Sequence, residues 1–302
     1  MKKIVCLILA LMMVFALCAC GAKEAPAAPA APEAPAPAPA NQNGGTQEEQ
    51  PVEVPAADVK APEDAVKIKF IMGIDPEYPP FSYMGDDGEY TGFDVEVCRA
   101  ACEKLGWDFE VFGVNWDEKL IQLDAGECDC VWSGMTILDS MYDAGYVISD
   151  PYYDNTQVLL VKADSGFTGY ADLAGKDVAV QLGTSGESLL NGDLADIAAT
   201  FNNVVTCNSF LNCFTELGGG AVDAVFVDLP VAAAYAAKNE GFTVLNENLG
   251  AEQYGIAFRS GDQALCDAIQ GAVYDLVADG TYAEIAAKEE YAEIVNNLIF
   301  LS

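Results

Sequence analysis

Histidine is absent from the 302 residues, arginine occurs only as Arg99 and Arg259, and 14 basic side chains stand against 47 acidic ones. Without histidine no nucleophile has an imidazole base to activate it, which argues against an enzyme of the serine or cysteine type. The formal net charge of −33 excludes nucleic acid as a partner. It also repels anionic lipids and polyphosphates, an effect that salt weakens. Paired Cys-x-x-Cys knuckles are missing too, although there are ten cysteines. A zinc site assembled from Cys98, Cys102, Cys128 and Cys130 would therefore lack the usual ligand spacing, and no metal or cofactor is expected. Cys98 and Cys102 stand four apart on an expected helix, Cys128 and Cys130 two apart on an expected strand. Each pair then shares a face and reads as small buried hydrophobes. A disulfide between Cys207 and Cys213 stays open.

Long apolar runs are confined to the amino terminus. Lys2 and Lys3 precede the run Ile4 to Leu17, the layout of a secretory signal peptide and too short to span a bilayer comfortably. It closes on Leu17-Cys18-Ala19-Cys20, which resembles a bacterial lipobox and implies acylation of Cys20 and membrane attachment through it. Residues 1–19 are thus expected to be a signal peptide, and their removal leaves 12 basic against 47 acidic side chains. Residues 20–65 form an Ala/Pro-rich tether, and the stretch from Gly21 to Pro62 holds nine of the fourteen prolines. Such a composition cannot build a core and favours extended conformations, and its length fits a Gram-positive surface better than a periplasm.

From about Val66 onward the pattern alternates. Strands are expected at Lys67 to Ile74, Asp108 to Val114, Asp129 to Ser133, Thr156 to Val161, Asp177 to Gln181, Asn203 to Cys207, Ala221 to Val227 and Phe242 to Leu245. Helices are expected over Phe93 to Leu105, Trp116 to Ala125, from Ser185, around Asn212 to Leu217, and over Pro230 to Asn239, Gln263 to Asp279 and Tyr282 to Glu290. This alternation predicts α/β lobes with mostly parallel sheets and ligands at the carboxyl ends of strands.

Several short motifs, in order, carry a family likeness: Tyr78-Pro79-Pro80-Phe81, Gly92-Phe93-Asp94-Val95-Glu96-Val97, Gly134-Met135-Thr136, Ser149-Asp150-Pro151-Tyr152-Tyr153, Leu173-Ala174-Gly175-Lys176, Gly183-Thr184-Ser185-Gly186, Val222-Asp223-Ala224-Val225 and Asp279-Gly280-Thr281-Tyr282. Over residues 66–290 the chain resembles the family 3 extracellular solute-binding proteins, whose best-known members bind polar amino acids. The resemblance implies a type II periplasmic-binding-protein-like fold. Lobe 1 would comprise residues 66–155 and 252–302, lobe 2 residues 156–251, with two hinge strands and a ligand cleft between the lobes. It further implies a monomer that delivers a polar amino acid or related amine to an ABC permease.

The same resemblance places ligand contacts. In lobe 1, Asp75 would support a ligand amine, Tyr78 and Trp116 would stack on the ligand, and Ser133, Gly134 and Thr136 would hold its amino-acid backbone. Packing of Tyr78 on Pro79, core burial of Trp116 and a local loop bond from Thr136 are the rival readings. In lobe 2, Gln181, Thr184 and Ser185 would face the ligand, although Thr184 and Glu187 also read as a capping box. Asp228 would pair with the ligand ammonium, unless it only caps the helix after it. Members of the family usually carry an arginine shortly after the Thr136 position for the ligand carboxylate; this sequence has Met141. The cleft is then expected to hold no cation, with Asp139 and Asp143 close by, and anionic ligands are disfavoured. Two alternatives stay open, a carboxylate held by amides and hydroxyls alone or an amine or polyamine-type cation without one. A dehydratase of cyclic acids is disfavoured by the same lack of cations. A surface adhesin or sensory protein remains a competing class.

Overall fold

The computed structural model describes residues 68–245 and 247–302. Cys20 and the expected signal peptide and tether fall outside them. The strand Lys69–Ile74 lies inside the first sheet, parallel to Asp108–Gly113 on one side and to Cys130–Val131 on the other. Phe70, Met72 and Ile74 alternate inward and are fully buried, as a strand period of two requires. The helix Phe93–Leu105 covers this sheet. It enters through Gly92, whose φ is +122°, where a Cβ would lie 2.3 Å from the Phe81 carbonyl oxygen. It ends on Gly106 in the left-handed region, which lets the amide of that residue reach back to Cys102. The helix Gln263–Asp279 packs against it, so the carboxyl-terminal segment returns to the first lobe.

The second sheet runs in the order Asn203–Cys207, Asp177–Gln181, Ala224–Asp228, Tyr153–Lys162, Phe242–Leu245. It is flanked by the helices Ser185–Asn191, Phe210–Gly219 and Leu229–Lys238. Here the expectation of mostly parallel sheets is corrected. The ten-residue strand Tyr153–Lys162 is antiparallel to both neighbours in the second sheet, and Ala257–Phe258 is antiparallel to both neighbours in the first. The cause is topological: these strands arrive from the other lobe and enter against the local direction.

Two strands cross between the lobes. The first half of Tyr153–Lys162 pairs antiparallel with Ala251–Tyr254, placing Tyr153 opposite Tyr254 and Asn155 opposite Glu252. Buried rings knit the crossing, with Phe81 edge-on to Tyr153 and Tyr254 at 5.1 and 5.5 Å between centroids. All seven cysteines among the described residues are unpaired, so Cys207 and Cys213 form no disulfide. Cys98, Cys102 and Cys130 share one apolar cluster, whereas Cys128 precedes its strand and joins another with Trp116 and Met141. The shared face expected of Cys128 and Cys130 is thereby corrected: only Cys130 lies on the strand. Among the described residues no group of side chains could hold a metal ion, and no helix is long and apolar enough to cross a membrane.

Candidate functional site

A cavity of about 120 Å³ lies between the two sheets. Of the residues expected to meet a ligand, Tyr78, Trp116, Gly134, Thr136, Thr184, Ser185 and Asp228 line it. Asp75, Ser133 and Gln181 do not. They stand behind the wall, where the Gln181 Nε2 donates to Asp75 Oδ2 at 2.7 Å, and the Asp75 amide donates to the Ser133 hydroxyl at 3.0 Å. The other Asp75 oxygen accepts from the Glu77 amide at 2.9 Å. Asp75 thus joins lobe to lobe rather than cavity to solvent, and burial raises its pKa.

Tyr78 owes its place to Gly134, whose φ is +53° and whose missing side chain leaves room for the ring. A Cβ there would lie 2.3 Å from Tyr78 Cε1. The Tyr78 ring faces Phe210 of the second lobe at 6.0 Å, and its hydroxyl meets that of Tyr254 at 2.7 Å. The Tyr254 hydroxyl donates to Asp228 Oδ1 at 2.9 Å, so the two phenols and the carboxyl group form one hydrogen-bonded chain.

Asp228 is the last residue of the strand Ala224–Asp228 and makes no capping bond to the helix Leu229–Lys238, where Pro230 already occupies the first turn. Its carboxylate turns towards the hinge. Strand register explains this: Asp228 is opposite Gln157, and the period of two carries Asn155 and Gln157 to the same face. Both amides donate to Asp228 Oδ1 at 2.7 Å, and both also donate to Glu252 Oε1, at 2.6 and 3.0 Å. Burial first, and then the adjoining Glu252 carboxylate, push Asp228 up to about 8. The shift favours the protonated form of this carboxyl group.

The expectation that the cleft contains no cation is overturned by Lys119. Its Nζ donates to the carbonyl oxygens of Gly183 and Trp116, at 2.7 and 3.1 Å, and lies 4.7 Å above the Trp116 ring. Burial lowers it to about 8, against the opposing pull of Asp117, Asp75 and Glu187. The signal was present in the sequence, since Lys119 follows Trp116 by three residues and so shares its helical face. Met141, on the short helix Asp139–Asp143, also lines the cavity, while Asp139 and Asp143 are exposed and do not. Asn155, Gln157, Glu252 and Tyr254 were also missed, because strand pairing alone brings them to Asp228.

Half of the expected capping box forms: the Thr184 hydroxyl accepts from the Glu187 amide at 3.2 Å, whereas the Glu187 carboxylate accepts from the amide of Gly183, the residue before the cap, at 2.8 Å. Gly183, with φ +74°, brings its backbone against Asp117 of the other lobe, where a Cβ would lie 2.6 Å from Asp117 Cα. Ser185 accepts from Gln157 Nε2 at 3.3 Å.

Two α/β lobes joined by paired crossing strands, touching across a small cavity with an acid at one wall and an ammonium at another, make a hinged ligand-capture protein. The model of the bacterial extracellular solute-binding proteins, family 3, matches residues 70–289, and the chain belongs to that family, which is one of binding proteins rather than enzymes. It is 32% identical over 221 residues to the L-cystine-binding protein TcyJ of Escherichia coli, covering 72% of this chain and 81% of that one. With the ABC transporter arginine-binding protein 1 of the same organism it shares 30% over 227 residues, 74% of this chain and 90% of the relative. Among solved structures, an ABC uptake transporter substrate binding protein from Streptococcus pneumoniae with bound histidine superposes with a TM-score of 0.69 at 26% identity, over 72% of this chain and 90% of that one.

Proposed function

We propose that this protein captures an L-amino acid between its lobes and hands it to an ABC permease. The observation that carries the reading is Asp228. A carboxylate buried at the cavity wall beside a second carboxylate is held back from ionising, and a ligand ammonium supplies the cation that favours its charged form. The relatives named for cystine, arginine and histidine support an amino acid as the class. Tyr78, Trp116, Gly134, Thr136, Thr184 and Ser185 complete the ligand wall in this reading. Asp75, Ser133 and Gln181 brace the closed form behind it. The acidic pair Asp228 and Glu252 favours a second reading, a polyamine-type cation, which would require two or more ammonium groups to sit beside Lys119.

Isothermal titration of the purified protein with L-arginine, L-histidine, L-cystine, spermidine and putrescine separates the two. Saturable binding of one amino acid and of neither polyamine is expected; binding of polyamines alone would sink the amino-acid assignment.

The protein works in this proposal as a monomer outside the cytoplasm, after cleavage before Cys20. Acylation of that cysteine anchors it on the outer face of the cell membrane, and residues 20–65 tether it there, as on a Gram-positive surface. Metabolic labelling with a radioactive fatty acid should mark the wild type and leave Cys20→Ser unmarked.

A further inference from the structure

Among the described residues, Lys119 is the only cationic side chain that lines the cavity. The two arginines of the chain are engaged elsewhere. Arg99 lies over the Phe109 ring at 4.9 Å, and Arg259 is committed to the Leu123 and Cys128 carbonyls and to Asp129 and Asp262. Met141, at the position where a guanidinium fork would be expected, presents a thioether and no charge.

We infer that Lys119 receives the ligand's carboxylate in place of the missing arginine, so that the cleft selects a zwitterion over the corresponding bare amine. The inference rests on the amino-acid reading above and sharpens it.

Three observations carry it. An ammonium has three donors, and the two carbonyls that accept from Lys119 leave one N–H unassigned in a group that borders the cavity. Neither acceptor is a carboxylate, so the charge of Lys119 is solvated by dipoles and the Trp116 ring without being neutralised at contact. Finally, an amine bound at Asp228 would share a cavity of about 120 Å³ with this ammonium, and like charges at that range repel unless a carboxylate stands between them. A zwitterion satisfies both ends: its ammonium at Asp228 and its carboxylate at Lys119. Because Lys119 also bonds to Gly183 on the opposite lobe, the ligand's carboxylate reaches a side chain that already ties the lobes together.

The test uses the whole protein and three pairs of probes: L-arginine with agmatine, L-histidine with histamine, and L-cystine with cystamine. Each decarboxylated partner keeps the side chain and the amine. For the amino acid that binds, the wild type is expected to prefer it to its amine by ~100-fold, and Lys119→Met to lose at least ~30-fold in affinity for it, the scale of removing one member of a buried charge pair. Binding of the amine should be unchanged or stronger in Lys119→Met, and Lys119→Arg should retain amino-acid affinity within about tenfold. Loss of both members of a pair by the same factor would reduce Lys119 to a latch on Gly183 and overturn the inference. So would wild-type affinity for the amine equal to that for the amino acid, a comparison that needs no variant and holds even if Lys119→Met does not fold. Wild-type binding of neither series overturns the amino-acid reading and this inference with it. Wild-type binding that Lys119→Met leaves unchanged overturns the inference alone.

Discussion

At the residue scale the two charged groups of the cavity titrate against each other. Below about pH 8 the free protein keeps a proton on Asp228, where Glu252 and the phenols of Tyr78 and Tyr254 surround the carboxylate. An incoming ammonium has to expel that proton, so affinity rises with pH by up to about tenfold per unit until Asp228 ionises unaided. Above about 8 Lys119, which faces Asp117, Asp75 and Glu187, loses its own proton and with it the attraction for a carboxylate. Titration calorimetry from pH 5.5 to 9.5 should therefore give an affinity maximum near pH 8 for an amino acid. Asp228→Asn, which has no proton to expel, should lose the rising limb and bind about 100-fold more weakly at pH 8, since the asparagine cannot neutralise the ammonium. A rising limb that survives the substitution would move the titrating group away from Asp228.

Elements set where these side chains meet. Asp228 was legible as a strand end, and the motif around Thr184 as a helix start, because both depend on local spacing. Its partners were not legible: Asn155, Gln157, Glu252 and Tyr254 reach Asp228 only through the register of Tyr153–Lys162 with Ala224–Asp228 and with Ala251–Tyr254. The short strands Glu77–Tyr78, Ser82–Met84 and Tyr90–Thr91 and the helix Asp139–Asp143 also went unread, since two to five residues carry too little periodicity to declare themselves. The turn at Gly183 offers a test of closure. In Gly183→Ala the positive φ costs roughly 1 kcal/mol whether the lobes are open or closed. The clash of the new Cβ with Asp117 Cα arises only when they close. Affinity should accordingly fall by about tenfold or more, beyond what the loss of thermal stability accounts for. Unaltered affinity would mean that ligand capture does not bring Gly183 onto Asp117.

For the whole molecule, buried acid and net charge act in the same direction. Burial raises the pKa of Asp75, takes Asp94 up to about 7 and Asp228 up to about 8. Each folded-state pKa lies above its unfolded value, so the folded protein binds the extra protons. The resulting stability is fully present below about pH 4 and is lost as pH rises through 7 to 8. Acidification also relieves the self-repulsion of a chain at −33. The ligand-free protein should consequently melt several degrees higher at pH 5.5 than at pH 8 by calorimetry. The opposite order would mean that these carboxyls are ionised in the folded state at neutral pH.

Alternation of apolar strands and amphipathic helices determined the α/β class from the sequence alone. Several elements even match end to end, among them Phe93–Leu105, Asp177–Gln181, Asn203–Cys207 and Gln263–Asp279. These features are local: side-chain periodicity and caps act over a few residues. The charge of the site was not local. Counting residues near Thr136 found acids and no base, whereas the cavity wall takes Lys119 from one lobe and excludes Asp75, Asp139 and Asp143. Only closure of two lobes on strands that run between them decided which acids are buried behind the wall, which are exposed, and which ammonium borders the cavity. The reason is that a long side chain is directed by the packing around its stem, and here that packing comes from Trp116 in its own lobe and the Gly183 backbone of the other.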